Sequence, residues 1–205
     1  MKMAPADIIL IKTISVMTEE MIIAGFGGQG VLSMGQILCY GGVMQGLEVS
    51  WMPSYGPEMR GGTANCTVIL SDDPISSPVL TQFDTAIVLN QPSMDKFEKA
   101  VKPGGLLIYE VNGMTREPER KDIRVCSLAA YDESVRMENT KVFNMIVIGG
   151  FLAIKPVLEL ENVIKGLEKV LPSRYHHLIP LNEKAIRRGM DLMLERAGAT
   201  NGREH

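Results

Sequence analysis

Gly25, Gly27 and Gly30 stand in the order Gly-Phe-Gly-Gly-Gln-Gly, directly after the apolar run Met21-Ile22-Ile23-Ala24. A glycine turn between a buried strand and a helix exposes main-chain N–H groups, and these can cradle a pyrophosphate. Two features count against a nicotinamide dinucleotide. The acid that holds a ribose hydroxyl belongs at the end of the second strand, and the only candidate, Glu48, falls at that strand's beginning. Gln29 also places a bulky polar side chain inside the turn. A P-loop fails too, because Val31 stands where a lysine must follow Gly30. Two uses of the glycines stay open: phosphate-type binding, or close strand–helix packing.

The densest chemistry lies in Ser54-Tyr55-Gly56-Pro57-Glu58-Met59-Arg60-Gly61-Gly62. It reads as a loop after strand two, where a doubly wound sheet presents its ligand crevice. Arg60 offers a planar fork for carboxylate or phosphate. Glu58 can pair with it or with a partner chain, and the plainer alternative is a structured turn with solvated charges. Other chemistry is missing. Cys39, Cys66 and Cys126 are dispersed and form no CxxC pair, and His176 and His177 are adjacent, which is poor ligand geometry. HExxH and GxSxG are absent. No catalytic residue and no metal site is therefore assigned.

The elements that must position these residues follow from the apolar pattern. Strands are expected at 21–24, 47–52, 64–70, 85–89, 106–109 and 123–126. Val31, Met34, Ile37, Leu38 and Val43 fall at helical spacing over 31–46. Ser93 is expected to cap a helix running to Val101 and ended by Pro103-Gly104-Gly105. Helices are expected over 142–157, 161–171 and 181–197. The result is an α/β chain: a Rossmann-like, doubly wound, mostly parallel sheet with C-terminal helices. Residues 1–17 read as an N-terminal extension, 18–197 as a single domain and 198–205 as a tail.

The chain has 205 residues and 45% hydrophobic content, enough for a sizeable core and too apolar for disorder. Its 21 basic and 24 acidic residues leave a net charge of −3, which argues against nucleic acid or an anionic membrane as partner. The apolar run at 142–157 is too short, and too broken by Gly149, Gly150, Lys155 and Pro156, to span a bilayer. Dispersed cysteines and the lack of a signal-peptide pattern fit a reduced, cytoplasmic chain. The 14 methionines and the run at 142–157 lead us to expect an apolar surface left for partners.

Two long motifs carry a resemblance. GFGGQGVLSMGQIL (residues 25–38) and PSYGPEMRGGTANC (53–66) resemble the gamma subunit of the 2-oxoacid:ferredoxin oxidoreductases, in the pyruvate/flavodoxin oxidoreductase gamma-domain family. VLNQPSMDKF (88–97) and the surroundings of Asn144 are similar as well, so the likeness spans about residues 18–190. It implies a subunit of a larger enzyme. Alpha and beta subunits, with a ferredoxin-like delta subunit as a further candidate, would hold thiamine diphosphate, Mg²⁺ and iron–sulfur clusters and pass electrons to ferredoxin. No cofactor would be tightly bound in this chain, which is associated with the coenzyme A side. The resemblance makes Gly25, Gly27, Gly28, Gln29 and Gly30 the family's first turn. Ser54, Tyr55, Gly56, Pro57, Glu58, Arg60, Gly61 and Gly62 become its second loop. That loop looks most like the 2-oxoglutarate type, which forms succinyl-CoA. The alternative of a different class is a free-standing Rossmann-type nucleotide-binding protein.

Overall fold

The structure, a computed structural model, describes residues 17–55 and 63–201. Six strands form one sheet: β1 (Thr18–Phe26), β2 (Glu48–Tyr55), β3 (Thr63–Ser71), β4 (Phe83–Val88), β5 (Val101–Glu110) and β6 (Arg124–Leu128), in the order β2-β3-β1-β4-β5-β6. Met21, Ile22, Ile23 and Ala24 are all buried, alternately in two cores, so β1 belongs at the centre. β4, β5 and β6 run parallel to it. β3 is antiparallel to both β1 and β2, so five strands share one direction and β3 alone is reversed. The doubly wound expectation holds, with one hairpin strand inserted between β1 and β2. The link from β2 to β3 is hairpin-length, and only an antiparallel pair can close so short a link.

α1 (Val31–Gln45), α4 (Phe143–Ile154), α5 (Leu160–Val170) and α6 (Ile179–Asn201) share the larger core with Met21, Ile23, Val68 and Ile108. α2 (Gln91–Phe97) covers Ile22, Ala86, Val88 and Leu107 on the opposite face. α3 (Ala130–Arg136) follows β6. The expectation that the run at 142–157 leaves apolar surface exposed is corrected here. Nine residues of α4 are buried, and α6 lies directly across it. The contact is backbone to backbone, because Gly149 lies against the Ile186 carbonyl and Gly189 against the Ile146 carbonyl. Lys155 and Pro156 end the helix, as a proline must.

Three local readings also change. Asn90, rather than Ser93, caps α2: its Oδ1 accepts from the Ser93 N–H at 2.9 Å, and Ser93 itself is buried inside the helix. β5 begins at Val101, and Pro103-Gly104-Gly105 form an irregularity within it, between the register pairs Phe83↔Val101 and Thr85↔Leu106. β1 begins at Thr18 rather than Met21. Glu19, 3% exposed, is satisfied there by Lys155 Nζ at 2.8 Å and by the Thr85 hydroxyl. A buried carboxylate needs such partners, and the apolar pattern cannot announce them.

Candidate functional site

β1 delivers Phe26 to the glycine turn, and Gly30 (φ 76°) opens α1 without any side-chain cap. Gln29 does not obstruct this turn; it staples it. Its Oε1 accepts from the Phe26 N–H at 2.6 Å, its own N–H donates to the Phe26 carbonyl at 3.2 Å, and its Nε2 reaches the Leu89 carbonyl at 3.4 Å. One cradle N–H is thereby already used. A Cβ at Gly25 would stand 2.5 Å from that Oε1. A Cβ at Gly30 would stand 2.5 Å from Asn144 Nδ2, so glycine here lets the N-termini of α1 and α4 meet. Gly28 is different: at φ 97°, nothing lies within 4 Å of where its Cβ would be. Gly25 and Gly30 thus serve packing, while Gly28 leaves the main chain open to approach.

Ser54 and Tyr55, expected in a loop, are the last residues of β2, paired with Asn65 and Ala64. Pro53 does not stop the strand, because an edge strand tolerates a missing N–H. Gly56, Pro57, Glu58, Arg60, Gly61 and Gly62 lie outside the described residues. Their anchors are informative: Tyr55 pairs with Ala64, and Thr63 pairs with Phe26. Both ends of the hairpin therefore sit at the carboxyl edge of the sheet, beside the glycine turn.

A cleft of about 410 Å³ opens at the same edge. Gly28, Gln29 and Leu89 line one side; Glu110, Asn112, Gly113, Tyr131, Thr140 and Phe143 line the rest. It lies where the chain switches direction, since β1 leads through α1 towards β2 while β4 leads through α2 to β5 on the other side. Open α/β sheets bind ligands at such a point. Sequence reasoning missed this second wall. The available signal was Glu110 and Asn112, polar residues directly after the apolar run at 106–109. Glu48 stands at the far end of β2, at the opposite edge of the sheet from the turn.

Glu110 is 3% exposed. Its Oε2 accepts from the Ala130 N–H at 2.9 Å and its Oε1 from the Asn112 N–H at 3.3 Å. Burial pushes its pKa up, these N–H groups partly offset that, and the charge of Asp132 adds to the rise. Asn112 Nδ2 in turn donates to Asp132 Oδ1 at 2.8 Å.

The cysteines do not form a ligand set. Cys39 and Cys66 donate to the main-chain carbonyls of Ser50 and Val31, both at 3.4 Å, and burial pushes each thiol up to about 12. Among the described residues no three His, Cys, Asp or Glu side chains group as metal ligands. An iron–sulfur cluster needs thiolates, so these donors do not fit one. At pH 8 a maleimide is expected to modify only Cys126 in the folded chain, and all three cysteines in denaturant, as counted by mass spectrometry. Rapid double labelling of the folded chain would contradict this burial. No described helix is long and apolar enough to cross a membrane.

The family model described as pyruvate ferredoxin/flavodoxin oxidoreductase matches residues 20–192. The chain is 37% identical over 132 residues to ketoisovalerate oxidoreductase subunit VorA of Methanothermobacter thermautotrophicus, covering 64% of this chain and 27% of that one. It is 34% identical over 133 residues to 2-oxoglutarate synthase subunit KorC of Archaeoglobus fulgidus, covering 64% and 68%. The gamma subunit of a keto/oxoacid ferredoxin oxidoreductase from Geobacter sulfurreducens superposes with a TM-score of 0.76 at 26% identity, covering 87% of this chain and 98% of that one. The chain spans 27% and 35% of the length of the two VorA relatives it matches.

Proposed function

The chain belongs to the pyruvate ferredoxin/flavodoxin oxidoreductase family, and from that premise we propose that it is the gamma-type subunit of a 2-oxoacid:ferredoxin oxidoreductase, working in the cytoplasm. The observation that carries the proposal is the meeting of three features at one sheet edge: the Gly25–Gly30 turn, the ends of the 55–63 hairpin and the switch-point cleft. These are the means to hold a ligand. Redox and decarboxylation groups then belong to companion alpha and beta chains, with a ferredoxin-like delta chain as a further companion. Those chains hold thiamine diphosphate, Mg²⁺ and iron–sulfur clusters and reduce ferredoxin. Coenzyme A supplies the thiol that accepts the acyl group. This chain binds and orients that carrier through the turn, the cleft and the hairpin.

We take 2-oxoglutarate as the oxoacid and succinyl-CoA as the product, supported by the 54–62 sequence and by the KorC relative. A branched-chain 2-oxoacid is the second reading, favoured by the 37% identity to the ketoisovalerate enzyme's subunit. The test is anaerobic co-expression with the companion chains encoded beside it, followed by ferredoxin reduction with 2-oxoglutarate, ketoisovalerate or pyruvate. Coenzyme A-dependent reduction, fastest with 2-oxoglutarate and lost when this chain is omitted, is the expected result. A chain that joins no companion would instead be a free-standing nucleotide-binding protein.

A further inference from the structure

Residues 21–55 carry a single charged side chain, Glu48, in a chain whose charged residues make up 22%. Much of that stretch is core, but part of it is surface. Tyr40 is 44% exposed and Val43 50%, both on α1, and Met52 on β2 is 37% exposed. They gather around one edge of the sheet. Val49 and Trp51 turn towards α1, where they lie against Gly42 and Gly35, and Cys39 donates to the Ser50 carbonyl at 3.4 Å. Tyr40 and Val43 share the flank of the helix that Cys39 turns towards β2. Met52 faces the other side of the sheet, as strand alternation requires. The smaller core on that side draws its strand residues from β1, β4 and β5, which leaves Met52 beyond it.

The two edges of the sheet are finished differently. At β6, Arg196 donates to the Ser127 carbonyl at 2.8 Å, and Arg124 lies in the strand itself. Charged side chains of this kind keep an edge from pairing with other chains. Val125 and Leu194 are exposed there too, but among these charges. β2 is eight residues long, with one charge at its first position and none beyond it. An uncharged edge of that length is an aggregation site unless something covers it. Pro53 withholds an N–H from any added strand, which favours a cover that packs side chain against side chain. The centres of protein interfaces are depleted of charge and enriched in Tyr, Trp and Met, and permanent interfaces are the most apolar.

The length of the relatives selects the occupant. In the two VorA proteins the matched segment is 27% and 35% of a longer chain, so the remainder is a permanent neighbour of this domain. We propose that the flank of α1 and β2 marked by Tyr40, Val43 and Met52 is the docking face for the companion chain that supplies this remainder, through an uncharged, apolar surface of its own. The assignment rests on the subunit reading above and adds the face by which the subunit joins.

The test is anaerobic co-expression of the full chain with its companions. Val43→Glu and Met52→Glu each place a carboxylate on the face, at positions exposed enough for the isolated chain to keep its melting temperature. Each should weaken association at least about 10-fold, read by titration with the purified companion. Leu194→Glu, on the β6 side, should assemble as the unsubstituted chain does. Hydrogen exchange needs no variant: the amides of β2 should exchange at least about 10-fold more slowly in the complex than in the isolated chain. If both variants assemble as tightly as the unsubstituted chain and β2 shows no slowing, the assignment is overturned and the subunit reading stands. An isolated chain that dimerises, loses its dimer in Val43→Glu and still joins its companion gives the face to a second copy, which also overturns the assignment. If the unsubstituted chain joins no companion, the subunit reading itself fails and this assignment falls with it.

Discussion

Gly149→Ala is expected to destabilise the chain by about 3 kcal/mol or more, while Gly150→Ala, one residue on, changes stability by less than about 1 kcal/mol. The difference lies in what each new methyl would meet. At Gly149 it would fall against the Ile186 carbonyl, 2.8 Å from that carbonyl carbon and 3.0 Å from the Met190 nitrogen. These are backbone atoms of α6. A helix cannot yield at one residue, so α4 and α6 would have to part along their shared length. At Gly150 the nearest atoms are Leu128 Cδ2 at 2.8 Å and Met193 Cε at 3.3 Å, both ends of side chains that can rotate. Alanine also regains about 0.5–1 kcal/mol of helix preference over glycine, which offsets that adjustment. In a chain of this size 1 kcal/mol moves the melting temperature by about 2–4 °C, so Gly149→Ala should melt roughly 6–12 °C lower. Equal melting of the two variants, followed by circular dichroism, would refute the close crossing. The consequence reaches the site. α4 sets Phe143 in the cleft lining, and Asn144 lies close against Gly30, so a displaced α4 should weaken ligand binding as well.

The sequence made the frame legible where apolar periodicity was strong. The apolar centres of β1, α1, β4 and α4 fell where the pattern put them, with ends shifted by a few residues, because their buried faces are long and uninterrupted. It was less legible where polar residues are satisfied by distant partners. Glu19 opens β1 only because Lys155, 136 positions away, neutralises it, and Glu110 caps the start of α3 from the end of β5. Strand direction was hidden too. Ala64 to Leu70 reads as a strand under either pairing, and only the short link from β2 makes it the reversed one. The candidate site was half visible. The glycine turn announced itself, but its role did not: Gln29 became the staple instead of an obstacle. The cleft's second wall stayed hidden because its residues arrive from three separate turns, after β5, after β6 and before α4. Each is unremarked locally, and only the sheet order brings them together.

Arg60→Ala is expected to raise the apparent Michaelis constant for coenzyme A about 10- to 150-fold in the assembled complex, with decarboxylation of the oxoacid little changed. Arg60 lies outside the described residues, but the hairpin that carries it is anchored at the described edge. Tyr55 pairs with Ala64 and Thr63 with Phe26, the residue that enters the glycine turn. An anionic carrier held at that turn is therefore within the neighbourhood of the hairpin. A guanidinium can hold a phosphate with two parallel hydrogen bonds, and no neutral side chain replaces that contact. Losing one charge-assisted hydrogen bond costs about 1.5–3 kcal/mol, and each 1.4 kcal/mol is about tenfold in affinity. The effect should be selective. On the function proposed above, decarboxylation would use groups in the companion chains, so thiamine-dependent radical formation from the oxoacid should survive, while acyl transfer to coenzyme A slows. The measurement assembles the variant, verifies its subunit content, and follows the two half-reactions separately by rapid mixing. An unchanged coenzyme A dependence in an intact complex removes Arg60 from ligand binding. A variant that no longer assembles assigns Arg60 to holding the complex together, by pairing with Glu58 or with the catalytic subunit. Arg60→Lys separates the two roles. A lysine keeps the charge for a subunit contact but forfeits the planar fork, so the coenzyme A defect should persist in a complex that assembles normally.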